Sequence, residues 1–135
     1  MPTLKVVKAD ILALGSDLHV DTSTPDFFFF RGDERQMPFA TIVTRDTEYD
    51  SFSKLDDGGT FRLNTSHDRG TFADMFPDYT SRAALEAASF DYAARDKLLP
   101  HPVYGRMHWI CVVNPDLSYA RCRVLLGKAY ESARR

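Results

Sequence analysis

The chain has 135 residues, 44% of them hydrophobic, 27% charged and 13% aromatic. That is the profile of one soluble globular domain, and it excludes disorder, collagen-like repeats and long coiled coils. Seventeen Lys+Arg against nineteen Asp+Glu leave a net charge of −2, which disfavours a protein held on DNA by phosphate contacts. In chain order, Leu4, Val7, Ile11 and Leu14 recur at helical spacing behind Thr3 and before Gly15-Ser16, and predict a short amphipathic helix over 4–14. The segment 18–25 has room for a short strand. Phe27–Phe30 predicts a strand, and a second is expected over Phe39–Arg45, the two joined as an antiparallel hairpin. Four successive phenylalanines cannot share one face of a pleat, so this strand is expected to be covered on both sides, or else to offer an apolar face to a partner.

The stretch Asp46–Gly59 is acidic and ends in an Asp56-Asp57-Gly58-Gly59 turn. A third strand is expected over Thr60–Asn64, with Phe61 and Leu63 on one face and Arg62 and Asn64 on the other. A helix start follows at 66–71, with Phe72, Met75 and Phe76 ahead of Pro77, and Ser81–Ala88 is helical by propensity. Met107–Asn114 is the strongest strand signal, apolar on both faces as a covered central strand requires. From residue 117 or 118 to about 134, Tyr119, Cys122, Leu126, Ala129 and Tyr130 form one stripe of a long C-terminal helix. The expected fold is α+β: one domain over 1–135, with an antiparallel sheet of four to five strands packed by helices.

Cys111 and Cys122 sit among apolar residues and read as small buried hydrophobes, kept reduced in a cytoplasmic setting. No apolar run reaches the roughly 18 residues needed to cross a bilayer, so no membrane partner is expected. Lys5, Lys8 and Asp10 interrupt any signal-peptide core. Glycine-rich phosphate loops, nucleophile elbows and EF-hand spacing are all missing, and no cofactor is expected.

The richest constellation is His101-Pro102-Val103-Tyr104-Gly105-Arg106-Met107-His108-Trp109. It offers two imidazoles and a phenol on a loop, the place where binding groups concentrate. His101 or His108 would serve as acid/base if the protein is an enzyme, a reading held third, behind plain binding and nucleic-acid contact. The spacing of His101, His108 and His67 groups no metal set. Arg62 and Asn64 would clamp a carboxylate or phosphate if their face lines a pocket. If that face meets solvent or holds an internal ion pair they are ordinary polar residues, and this second reading is the preferred one. Trp109 is expected to belong to the core rather than to a stacking platform.

Four blocks carry a resemblance. Pro38–Arg45, Phe61-Arg62-Leu63-Asn64, Leu98–Gly105 and Trp109–Pro115 resemble, in order, the motifs of an uncharacterised bacterial family of unknown function. More distantly, the second half is similar to MmcQ/YjbR-like proteins, with a Pro- and Tyr-containing loop before a His-Trp strand and Tyr130 on the closing helix. That resemblance implies a compact double-wing fold and, by analogy, DNA contact, here through Arg121, Arg123 and Lys128. Taken together, the expected ligand-binding residues are Arg62, Asn64, His101, Tyr104 and His108. The expected partner is a small ligand or a protein, with a homodimer as one arrangement.

Overall fold

A computed structural model describes residues 1–56 and 58–133. Asp57 of the predicted turn, and the last two residues, Arg134 and Arg135, lie outside the described residues. Among the described residues six strands form one sheet: β1 (Leu18–Asp21), β2 (Phe27–Arg31), β3 (Ala40–Val43), β4 (Arg62–Ser66), β5 (Leu99–Pro100) and β6 (Trp109–Val113). Their order is β1-β2-β3-β4-β6-β5, and every neighbouring pair is antiparallel. The helices are α1 (Leu4–Leu12), α2 (Arg69–Met75), α3 (Arg82–Ala87) and α4 (Tyr119–Ser132). Each of the first three starts where a side-chain oxygen accepts an otherwise orphaned backbone N–H: Thr3 from Val6, Asp68 from Thr71 and Ser81 from Ala84. Among the described residues no helix is long and apolar enough to cross a membrane.

Register assigns the two faces of the sheet. Phe29 pairs with Ala40, Ile42 with Leu63 and Leu63 with Val112. These residues lie buried on one face against Val7 and Ile11 of α1 and Cys122, Leu126 and Ala129 of α4. On the other face Phe28 pairs with Thr41, Thr41 with Asn64, and Asn64 with Cys111. The phenylalanine run is therefore split by the pleat. Phe27 and Phe29 turn to the helices, and Phe28 and Phe30 to the opposite side, where Phe30 is buried and Phe28 only partly so.

Three differences from the sequence reading have physical causes. The third strand begins at Arg62 rather than Thr60, a slip of two residues that keeps the same side chains on the same face. The sheet has six strands rather than four to five, because Leu99 and Pro100 add a two-residue edge to β6, too short to show a period. His108 does not begin a strand. It takes a left-handed conformation at φ 71° and closes a single 3-10 turn over Gly105–Met107. The start of α4 has a remote cap as well: the Asp96 carboxylate accepts N–H bonds from Asp116, Leu117 and Ser118 and the Ser118 hydroxyl.

A clamp ties α4 back to the first strands. Arg31 of β2 donates to the Tyr130 carbonyl at 2.7 Å and lies 4.0 Å over the Tyr130 ring. The Tyr130 hydroxyl donates to Asp17, which Arg31 also binds at 3.0 Å. A side chain at Gly15, three residues beyond the end of α1, would collide with this phenol.

Candidate functional site

The sheet face turned away from α1 and α4 holds a cavity of about 570 Å³. Its walls are largely apolar: Phe28 and Phe30 from β2, Val43 from β3, Trp109 from β6, and Tyr104 and Met107 from the turn before β6. Met37 closes one side from the β2–β3 loop, where the Glu34 carboxylate accepts the N–H groups of Gln36 and Met37.

The floor is polar and centres on Arg62, which is completely buried. Its Nε donates to Asn64 Oδ1 at 3.0 Å, and its Nη1 to Asp50 Oδ1 at 3.0 Å and Ser53 Oγ at 3.1 Å. Nη2 donates to the second Asp50 oxygen, completing a bidentate pair. Asn64 in turn donates to Thr41 Oγ1 at 2.9 Å across the β3–β4 pair. Alternation along β4 put Arg62 and Asn64 together. The acidic loop brings their partner, because buried Leu55 and the reciprocal Asp46–Asp56 and Asp46–Leu55 bonds anchor that loop over the floor. Burial pushes the Asp50 carboxyl up, but the bonds from Arg62 and its charge outweigh this and hold it below its ordinary value. The internal ion pair is thus what the structure shows. The fork that would clamp a carboxylate or phosphate is already taken.

His101 stands beside Arg62, its Nε2 3.3 Å from Nη2. Its Nδ1 accepts two backbone N–H bonds, from Val103 and Tyr104, each at 3.0 Å. A neutral imidazole that accepts at Nδ1 carries its proton on Nε2. Burial foremost, and then the Arg62 charge, push its pKa down to about 3, against a small opposing effect of Asp50. The ring is therefore a fixed hydrogen-bond donor rather than a proton shuttle near neutrality. Tyr104 packs against it with the rings tilted by 38° and centroids 5.1 Å apart, and stands half exposed at the mouth.

Four of the five predicted ligand-binding residues, Arg62, Asn64, His101 and Tyr104, meet in this cavity. His108 does not line it. It directly precedes cavity-facing Trp109, and its ring packs 5.7 Å from Phe72 of α2. Asp50, Ser53 and Thr41 were not singled out from sequence. Only their position relative to Arg62 marks them. Arg121, Arg123 and Lys128 are exposed on α4, a helix packed on the opposite face of the sheet, and Arg121 rests on the Met75 sulfur. Among the described residues no cluster of three His, Cys, Asp or Glu side chains forms a metal set.

A second buried imidazole shares the titration behaviour of His101. Burial, with a smaller push from Lys128 against the pull of Asp68, lowers His67 to about 4 from an ordinary 6.5. Below pH 6.5 the unfolded chain takes up protons at both rings while the folded chain refuses them until about pH 4 at His67 and about pH 3 at His101. Stability is therefore full above the ordinary histidine value and falls as the pH drops through that window. The slope is roughly 1.4 kcal/mol per pH unit for each ring. Thermal unfolding followed by circular dichroism should show a melting temperature that declines steadily from pH 6.5 to 4.5. A flat profile would overturn this account.

A sheet covered by helices on one face, with a walled cavity on a polar floor on the other, defines an α+β domain built around a pocket. By sequence the chain belongs to DUF6194, a family of unknown function, whose model matches residues 3–135. No curated protein and no solved structure matches the chain.

Proposed function

We propose that this protein is a single-domain, non-catalytic small-molecule-binding protein whose site is the Arg62–His101 cavity. The observation that carries this reading is a fully buried, hydrogen-bonded polar floor beneath apolar and aromatic walls. Small-molecule sites combine these features: broad apolar lining and a few fixed polar groups that orient the ligand. The volume falls within the roughly 300–1,000 Å³ of such pockets. The state of His101 supports binding over acid/base catalysis, since Nδ1 is occupied by backbone donors and Nε2 already holds the proton. A bacterial setting, supported by the four sequence blocks, a cytoplasmic one, supported by two buried free cysteines, and kinship with MmcQ/YjbR-like proteins, supported by the loop before Trp109 and by Tyr130, belong to the same proposal.

Trp109 is the chain's single tryptophan and lines the cavity, so its indole N–H gives one NMR cross-peak that reports occupancy. Freshly purified protein should carry excess mass in native but not in denaturing mass spectrometry, or should bind aromatic fragments that move the Trp109 peak. Bare protein whose Trp109 peak no fragment moves would overturn the reading. The exposed Arg121, Arg123 and Lys128 support the nucleic-acid alternative. Its mark is DNA binding that weakens steeply with salt and leaves Trp109 unmoved.

A further inference from the structure

From the pattern of donors and charges at the cavity floor, we infer that the ligand is an uncharged, flat aromatic molecule bearing a carbonyl-type oxygen, and that this oxygen is bound by His101 Nε2–H. The inference rests on the cavity being a binding site.

The donors come first. An arginine has five N–H bonds, and four of those on Arg62 go to Asn64, Ser53 and the two Asp50 oxygens. The remaining Nη2–H faces His101 Nε2 at 3.3 Å. The backbone bonds to Nδ1 place a proton on that nitrogen too. Two donors thus face each other, and neither satisfies the other. His101 is only 6% exposed and Arg62 not at all, so an unmet N–H here is unfavourable. Arg62 has no surface on the cavity, whereas His101 keeps a little, so an acceptor oxygen reaching Nε2–H from the cavity meets the need of the imidazole.

Charge then selects among acceptors. The charged groups lining the cavity are Asp21, Asp50 and Arg62, a sum of −1 with His101 neutral. An anion would have to displace Asp50 from Arg62 in a site that repels it. A cation would be drawn by the two carboxylates but would point its charge at the His101 N–H, beside the Arg62 guanidinium. A neutral carbonyl meets neither objection. The walls select the rest of the molecule: Phe28, Phe30, Tyr104 and Trp109 present ring faces and edges suited to a flat apolar body.

Three probes of one shape and different charge test the inference: 2-naphthamide, 2-naphthoate and 2-naphthylmethylammonium, each titrated against the full chain while the Trp109 indole cross-peak is followed. The amide should bind at least about tenfold more tightly than either charged analogue. It should also shift the His101 Nε2–H resonance downfield in the wild-type protein. His101→Asn keeps an oxygen where Nδ1 accepts the turn's N–H groups but removes Nε2–H, and should weaken the amide about tenfold. Equal or tighter binding of the naphthoate or the ammonium overturns the inference while leaving a binding site in place. So does a His101 resonance that the amide leaves unmoved. If no probe moves Trp109, the binding reading itself fails.

Discussion

Replacing Arg62 with methionine is expected to lower folding stability by roughly 3–5 kcal/mol, the range for breaking a buried ion pair from one side. The Arg62 side chain is wholly inaccessible, while Asp50 keeps 21% of its side-chain surface in water. Asp50 left alone is therefore partly rehydrated, which places the loss toward the lower end. Asn64 Oδ1 and Ser53 Oγ lose their donor at the same time. In a chain of this size the melting temperature should fall by roughly 10 °C. Removing both charges, as Asp50→Leu with Arg62→Met, should cost less than Arg62→Met alone, because no orphaned ion remains. Urea denaturation of the three variants measures this directly. A loss below about 1 kcal/mol for Arg62→Met would mean that the pair behaves as a surface bridge.

Phe28 and Phe29 are neighbours in sequence, yet their alanine variants should separate cleanly. Phe29 is fully buried against α1 and α4, and Phe29→Ala should remove roughly 3–5 kcal/mol by leaving a cavity that rigid neighbours cannot close. Phe28 is only partly buried and its ring already borders empty volume. Phe28→Ala should remove less than half as much stability and instead weaken binding of an aromatic probe. Chemical denaturation of both variants, paired with probe titration, decides the matter. Equal stability losses would show that the strand's two faces are packed alike, contrary to the register.

These contrasts also show how much could be read in advance. The alternation of Phe61, Arg62, Leu63 and Asn64 was enough to put Arg62 and Asn64 on one face, because a strand's period of two is local. Whether that face met water was not local information. It depended on Asp50, twelve residues away in an irregular loop, whose arrangement follows from one buried leucine and a few carboxylate–amide bonds. The turn at His101 stood out by its unusual density of functional groups. The role of His101 depended on the backbone donors of Val103 and Tyr104, which residue type alone does not specify. His108 was misplaced for a related reason. Its neighbours have strong strand propensity, whereas a left-handed backbone at a non-glycine residue leaves no mark in composition. The long apolar stripe of α4 was plain, but its remote cap at Asp96 was not.

The clamp around Tyr130 bears on the order in which the molecule can be assembled. Arg31 finds the Tyr130 carbonyl 99 positions later, and Asp17 its phenol 113 later. On a ribosome, α1, β1 and β2 emerge well before the ring that pins them. Phe27 and Phe29 would then wait on one side without α4 over them. The hairpin of β1 and β2 forms from near neighbours, but its apolar side is sealed only when the last helix arrives. Nascent chains stalled before α4 should therefore be the species that chaperones bind and proteases cut, and docking of that helix should be the event that ends their exposure.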